Sequence, residues 1–441
     1  MNHNHHPYRE RRSALLQRMR AETGGGLALV PTAPEATRNR DSMFPYRHDS
    51  YFYYISGFPE PEAVIALVAG ANGDADRQFL FCREKNQERE IWDGFRYGPD
   101  AARDIFGFDA AYPVGELDQM LADLASDQPA LYTPLGLYSP WDRKVTDLLN
   151  EVRNRARTGV AAPEAIVDVR QPLDTLRLWK DAHEVELMRR AAEISSGAHR
   201  RAMERTRVGW FEYQVEAELA HEFLSRGAQA VAYPSIVAGG PNACVLHYRD
   251  NNRQLQDGDL LLIDAGCEYQ SYASDITRTF PVNGKFSGPQ KSVYELVLAA
   301  QLACIEAVKP GALFHDYHKV AERVLAQGYI DLGLCHGTLD AVLESGSYKQ
   351  FYMHRAGHWL GLDVHDAGAY QVKGVSQKLE AGMVLTVEPG TYIRAADNVP
   401  ELFWDIGVRI EDDVLVTTTG SENLTAATPK TVADVEAACR R

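Results

Sequence analysis

Four acids and one histidine stand in settings that could hold metal: Asp264, Asp275, His358, Glu388 and Glu411. Asp264 ends the apolar run LLLID, Asp275 opens DITRTF, Glu388 follows MVLTV and precedes Pro389, and Glu411 sits in VRIEDDVLV. Acids in strand-like apolar runs are expected to be buried. An unpaired buried carboxylate costs several kcal/mol or takes up a proton, so four of them need a strong cationic partner. Divalent metal supplies it. An oxygen-rich donor set with one imidazole suits Mn²⁺, Co²⁺, Fe²⁺, Zn²⁺ or Mg²⁺, and the lack of sulfur donors argues against structural zinc. Two ions about 3.5–4 Å apart lower the pKa of a shared water and clamp a tetrahedral intermediate, so hydrolysis is the expected reaction. The competing chemistry, a nucleophilic serine on a GxSxG turn, finds no such motif.

The surroundings add candidates. His358 lies in YMHRAGHWLGLDVHDAG together with His354 and His365. A lone histidine is usually a packing or surface residue, but Gly357, Gly361 and Gly368 here let backbone come close to a ligand. Arg409 stands two positions before Glu411, on the same face of an expected strand, as a group that could orient an acid. LLLIDAGCEYQSYASDITRTF reads as two strands joined by a connection, and antiparallel pairing would bring Asp264 and Asp275 together.

These residues need elements to carry them. Residues 1 to about 170 mix strand-like runs (AVIALVAG, RQFLFCRE) with turn-rich stretches, which reads as a smaller α/β domain. APEAIVDVRQPLDTLR, with Pro163 and Pro172, is the expected seam, so the domains are set at 1–172 and 173–441. Asp181 with Glu184 reads as a capping box opening a helix to about Arg207. Residues 207–228 and 309–330 each carry an amphipathic pattern between two glycines, Gly209 and Gly227 in the first and Gly311 and Gly328 in the second, and strand-like runs with the candidate ligands follow each. The repeat predicts two similar α+β halves facing each other with the site between them.

Composition excludes other classes. With 46 Lys and Arg against 61 Asp and Glu among 441 residues, the net charge of −15 disfavours nucleic acid as a partner. AVIALVAG is too short to span a bilayer, so a soluble cytoplasmic protein is expected. The 6 cysteines contain no CxxC pair and read as free, packed thiols. His3, His5 and His6 read as part of a mobile terminus rather than a metal site.

At the five spaced ligands the chain resembles the pita-bread metallopeptidases of family M24, which include methionine aminopeptidase, prolidase and aminopeptidase P. HWLGLDVHD, DAGCEY, SDITRTFPVNGKF and RIEDD resemble the aminopeptidase P branch, and PYRHDSYFYYISGFPEPEA resembles its creatinase-like N-terminal domain. The resemblance implies a pita-bread catalytic domain with pseudo-twofold halves behind a smaller α/β domain. It implies that Asp264 chelates a first metal, that Asp275 and Glu411 bridge both, and that His358 and Glu388 complete the second, most suitably Mn²⁺. Glu388 would also shuttle a proton, His365 and His247 would contact substrate and intermediate, and His354 would line the pocket. Arg409 and Asp41 match an ion pair near the site, and Trp92 matches a tryptophan that reaches a neighbouring subunit's pocket. REKNQEREIWDGFRYGP departs from the pattern, with Asp93 after that tryptophan. The implied activity is removal of an N-terminal residue from peptides with proline second, by a homodimer or homotetramer. Two alternatives are a prolidase, for which the short path from His365 to Glu388 lacks the long insertions, and a non-catalytic peptide-binding protein on the same fold.

Overall fold

The computed structural model describes residues 5–70 and 75–440. The chain divides into two compact units, Met1–Arg177 and Leu178–Arg441. The seam expected after residue 172 falls inside the helix Arg170–Leu178. His3 lies outside the described residues. His5 and His6 are not a loose tail: His5 is the N-cap and His6 the first residue of the helix His6–Thr23, where Pro7 tolerates the position because its missing N–H would have no partner there.

The first unit is built on a six-stranded mixed sheet in the spatial order Ala110–Pro113, Arg77–Cys82, Val64–Ala69, Gly26–Pro31, Ala130–Tyr132 and Ala165–Val167. Its two central strands are buried along their whole length and read as unbroken apolar runs, as strands covered on both faces do. The AVIALVAG run is one of them. Leu117, Leu121, Trp141 and Leu148 from neighbouring helices complete this core.

In the second unit the capping box at Asp181 and Glu184 is formed, and the helix it opens runs Ala182–Arg205. The helix Glu212–Ser225 follows, then an antiparallel sheet of Ile236–Gly239, Leu260–Asp264 and Thr277–Pro281. The same order recurs: helices Gly288–Ala307 and Asp316–Asp331, then a sheet of Val384–Val387, Asp412–Val416 and Ser421–Asn423. One core joins both halves, with Val215, Leu219, Leu261 and Phe280 from the first and Val293, Leu325, Leu385 and Val414 from the second. Each fully buried side chain of this kind contributes about 1.5–3 kcal/mol, so the frame that positions the acids is stiff.

Candidate metal centre

Each of the four acids stands where a hydrogen-bonded ladder stops. Asp264 is the last residue of Leu260–Asp264 and pairs in register with Thr277, while Asp275 lies just before Thr277–Pro281. A Cβ on Gly266 would overlap the carbonyl of Ser274, so a glycine there lets the returning chain bring Asp275 alongside Asp264. Glu388 follows the strand Val384–Val387, and Pro389, lacking an N–H, separates it from Gly390–Ile393.

Glu411 corrects an expectation. VRIEDDVLV is not one strand but two, Ile406–Arg409 and Asp412–Val416, with Ile410 and Glu411 between them. The first pairs with Gly390–Ile393 and the second with Val384–Val387, so the chain changes partner at the acid. The N–H of Glu411 donates instead to the carbonyl of Thr277 at 3.1 Å, which ties the two halves together beside Asp275.

His358 is held by backbone. Its N–H donates to Thr386 Oγ1 at 3.1 Å and its carbonyl accepts from the Thr386 N–H at 2.9 Å, an approach that a Cβ on Gly357 would block. Nδ1 lies 2.9 Å from the Trp359 carbonyl, which can only accept, so Nδ1 carries the proton and Nε2 faces the acids. Nε2 stands 3.4 Å from Asp275 Oδ2 and 3.9 Å from Glu388 Oε1. Among the described residues, Asp275, His358 and Glu411 each place a donor atom within 4.8 Å of the others.

Supporting bonds aim the carboxylates. The Tyr233 hydroxyl lies 2.7 Å from Asp264 Oδ1 and within reach of Asp275 Oδ1 as well, so its one proton can be donated to either. Arg409 donates from Nη2 to Asp264 Oδ2 at 2.6 Å, from Nη1 to the Tyr392 hydroxyl at 2.9 Å and from Nε to Thr277 Oγ1 at 3.1 Å. Thr277 Oγ1 in turn donates to Glu411 Oε2 at 2.6 Å. Asp413 accepts the N–H of Asp275 at 3.1 Å, fixing that residue's backbone.

Electrostatics then expose a deficit. Burial pushes Glu388 up to about 7 against the pull of His358 and Arg409. Burial also raises Glu411 well above the carboxylate range, and Asp275, Glu388 and Asp264 add to it. Asp264 is raised by burial despite Arg409. Burial works the same way on Asp275, but hydrogen bonding and charge from His358 outweigh it and leave this acid below its usual value. Burial would lower His358, yet Asp275 lifts it to about 9. Two buried acids, Asp275 and Glu411, and two half-buried ones, Asp264 and Glu388, thus share one imidazole and one guanidinium, and much of the remaining negative charge is held off by proton uptake. Oxygen donors with a single imidazole nitrogen and an unmet need for positive charge fit divalent cations.

Asp264, His358, Glu388 and Arg409 line a cavity of about 780 Å³, and His247, His354 and His365 line it with them. His354 lies 2.8 Å from the Tyr392 hydroxyl through Nε2, and its Nδ1 is 3.9 Å from Glu388 Oε2. Burial, followed by the charge of Arg409, pushes it down to about 3. The His365 ring packs edge-on to His358 at 4.3 Å, and burial followed by His358 lowers its pKa. Both rings are therefore neutral at neutral pH.

Trp92 and Asp41 belong to the first unit. Trp92 lies on the helix Gln87–Asp93 and is 84% exposed, and Asp41 lies in an exposed turn after Thr37–Asn39. The carboxylate that Arg409 engages is Asp264, which stands beside it. Sequence reasoning missed Tyr233 and Tyr392, since an isolated tyrosine carries no motif. Thr277 was within reach, because Asp275 and Thr277 follow period two.

Residues 186–418 match metallopeptidase family M24, and residues 8–132 match the N-terminal domain of aminopeptidase P. The chain is 43% identical over 430 residues to the Xaa-Pro aminopeptidase of Escherichia coli, covering 98% of this chain and 96% of that protein. Identity to the Xaa-Pro aminopeptidase of Haemophilus influenzae is 42% over 429 residues, covering 97% and 96%. The solved structure of Pseudomonas aeruginosa aminopeptidase PepP superposes with a TM-score of 0.96 at 49% identity, covering 100% of this chain and 99% of that one. Zinc-substituted Escherichia coli aminopeptidase P in complex with product gives a TM-score of 0.95 at 42% identity, covering 99% and 98%.

Proposed function

We infer how the site works from the premise that the chain belongs to metallopeptidase family M24. It is a metal-dependent exopeptidase that releases the first residue of peptides with proline second. Asp264, Asp275, His358, Glu388 and Glu411 would hold two divalent ions. The observation that carries this is the excess of buried carboxylate over protein cation at the floor of the cavity. Bound there, divalent ions would supply activation of water and polarisation of the scissile carbonyl.

The chain's own groups do the rest. A carboxylate oxygen of Glu388 takes the proton of the attacking water and passes it to the proline nitrogen, which has no N–H and must be protonated to leave as an amine. His365 and His247 donate hydrogen bonds to the carbonyl oxygen as it becomes tetrahedral. His354, fixed by Tyr392, lines the pocket, and Arg409 holds Asp264 in place.

Manganese is the proposed resident ion, on the donor set and not on affinity, which would favour later first-row ions. A cytoplasmic location is proposed from the 6 cysteines, all buried and free. No helix among the described residues is long and apolar enough to cross a membrane. A homodimer or homotetramer is proposed, with Trp92 reaching a neighbouring subunit's pocket, because Ile91, Trp92 and Phe95 present large apolar side chains to solvent at 81%, 84% and 65% exposure.

Cleavage of an Xaa-Pro dipeptide and an Xaa-Pro-Xaa tripeptide, with and without added Mn²⁺, tests the reading. The tripeptide is expected to be cleaved at least as well, with proline left N-terminal on the product and activity rising with the metal. Turnover of dipeptides alone would assign the chain to prolidase. Full activity after exhaustive chelation would remove the metals from the mechanism.

A further inference from the structure

We propose that Lys180 and Asp366 form a positioning pair that sets the place of His365 in the cavity, an inference that rests on the reading of His365 as a group acting on substrate. Lys180 Nζ lies 2.9 Å from Asp366 Oδ2, and the two side chains are 0% and 1% exposed. Asp366 directly follows His365, and its own N–H donates to the Trp359 carbonyl at 2.9 Å. Its second oxygen accepts from the Asp363 N–H at 3.3 Å. The loop from His358 to His365 is thus closed on itself, and the bond to Lys180 anchors its far end.

The surrounding chain is shaped for this bond. A Cβ on Gly361 would overlap Asp366 Oδ2 and stand 3.0 Å from Lys180 Cε, so a side chain there would push the pair apart. The Gly361 carbonyl also accepts from the Ala273 N–H at 2.9 Å, two residues before Asp275. Lys180 reaches a second segment through its backbone, whose N–H donates to the Gly382 carbonyl at 2.8 Å in the turn leading into Val384–Val387 and Glu388. One residue therefore fastens the segments that carry His365 and Glu388.

Stability alone does not account for such a pair. Two buried charges attract strongly but are costly to remove from water, and an apolar pair of similar size often stabilises a fold as well or better. What an apolar pair lacks is direction. The Nζ–Oδ2 bond fixes Asp366 at one distance and angle, and the adjoining His365 ring must meet His358 at 4.3 Å to face the cavity. A misplacement of about 1 Å at a reacting centre costs on the order of a hundredfold in rate.

The test uses the full-length metal-loaded enzyme carrying Lys180→Met, Asp366→Asn or both. Each single variant breaks the charged pair and is expected to unfold at lower temperature, while the double variant recovers most of that loss. The double variant should nevertheless show a kcat lowered by about tenfold or more, with KM and metal content unchanged. Placed on His365→Ala, which by itself lowers kcat, the same two substitutions should change kcat less than about twofold, because the group they position is gone. A double variant with unaltered kcat would make the pair purely structural and overturn the proposal. Equal fold-losses with and without His365 would show that the pair acts elsewhere. If His365→Ala leaves kcat unaltered, the role of His365 falls and takes that of the pair with it.

Discussion

Glu411 and Asp412 are neighbours in the chain, both buried and both acidic, yet their surroundings treat them oppositely. Asp412 accepts from Arg278 Nη2 and Lys430 Nζ, each at 2.6 Å, and from Gln301 and Asn423, each at 2.8 Å. Burial would raise it, but Arg278 and Lys430 outweigh burial and hold it down at about 2. Glu411 meets three further acids and is pushed well above the carboxylate range by burial and by them. Arg278 does reach toward Glu411, but only its backbone carbonyl, at 2.6 Å. The fold thus completes one charge cluster with its own cations and leaves the next one short. Asp412 is thereby held as part of the frame, whereas Glu411 is left with a need for positive charge.

Removing each acid in turn should separate these roles. Glu411→Gln takes a charge from the proposed metal centre, and is expected to abolish nearly all activity and lose most of the metal while circular dichroism stays native. Elemental analysis beside a turnover assay decides it, and full metal with normal turnover would strike Glu411 from the site. Asp412→Asn strands Arg278 and Lys430 and should lower the unfolding free energy by about 3–5 kcal/mol in urea titrations. The fraction that remains folded should keep its metal. Metal loss without destabilisation would mean that the two clusters cannot be told apart by their cations.

The smallest effect is a pH signature. In the metal-free enzyme Glu388 keeps a proton up to about 7, whereas the unfolded chain releases it near 4.5, so its contribution is present below about 4.5 and is lost as pH rises through about 7. His358 behaves alike between 6.5 and about 9. Asp412 runs the other way, contributing above 3.8 and failing only as pH falls toward about 2. Thermal melts after chelation should therefore show stability falling from pH 5 to pH 8, and added Mn²⁺ should flatten that slope. A metal-free enzyme equally stable at both pH values would show that the acids are compensated by something other than metal.

Much of the candidate centre was legible in the chain. Asp264, Asp275 and Glu388 announce themselves because a charge at the edge of an apolar run needs a reason, and the capping box at Asp181 and Glu184 is a local motif that tertiary contacts did not override. The recurrence of two helices and a sheet was readable from amphipathic segments spaced by glycines. Other features depend on remote partners. Glu411 read as mid-strand because nothing local marks the point where VRIEDDVLV changes partner from Gly390–Ile393 to Val384–Val387. Tyr233 gave no signal because its two acceptors lie 31 and 42 residues further on.

The sequence by itself determined the kinds of donor atoms, their order along the chain and the resemblance to metallopeptidases, because ligand chemistry resides in residue type and apolar runs forecast burial. Only the tertiary structure decided which acid in Glu411-Asp412-Asp413 is given its own cations, namely Asp412. Arg278 and Lys430 stand 134 and 18 residues from Asp412 in the chain, yet both reach it through space. Local pattern sets whether a carboxylate is buried, but the charge that answers it comes from wherever the fold brings one, and Coulomb energy depends on that distance in space.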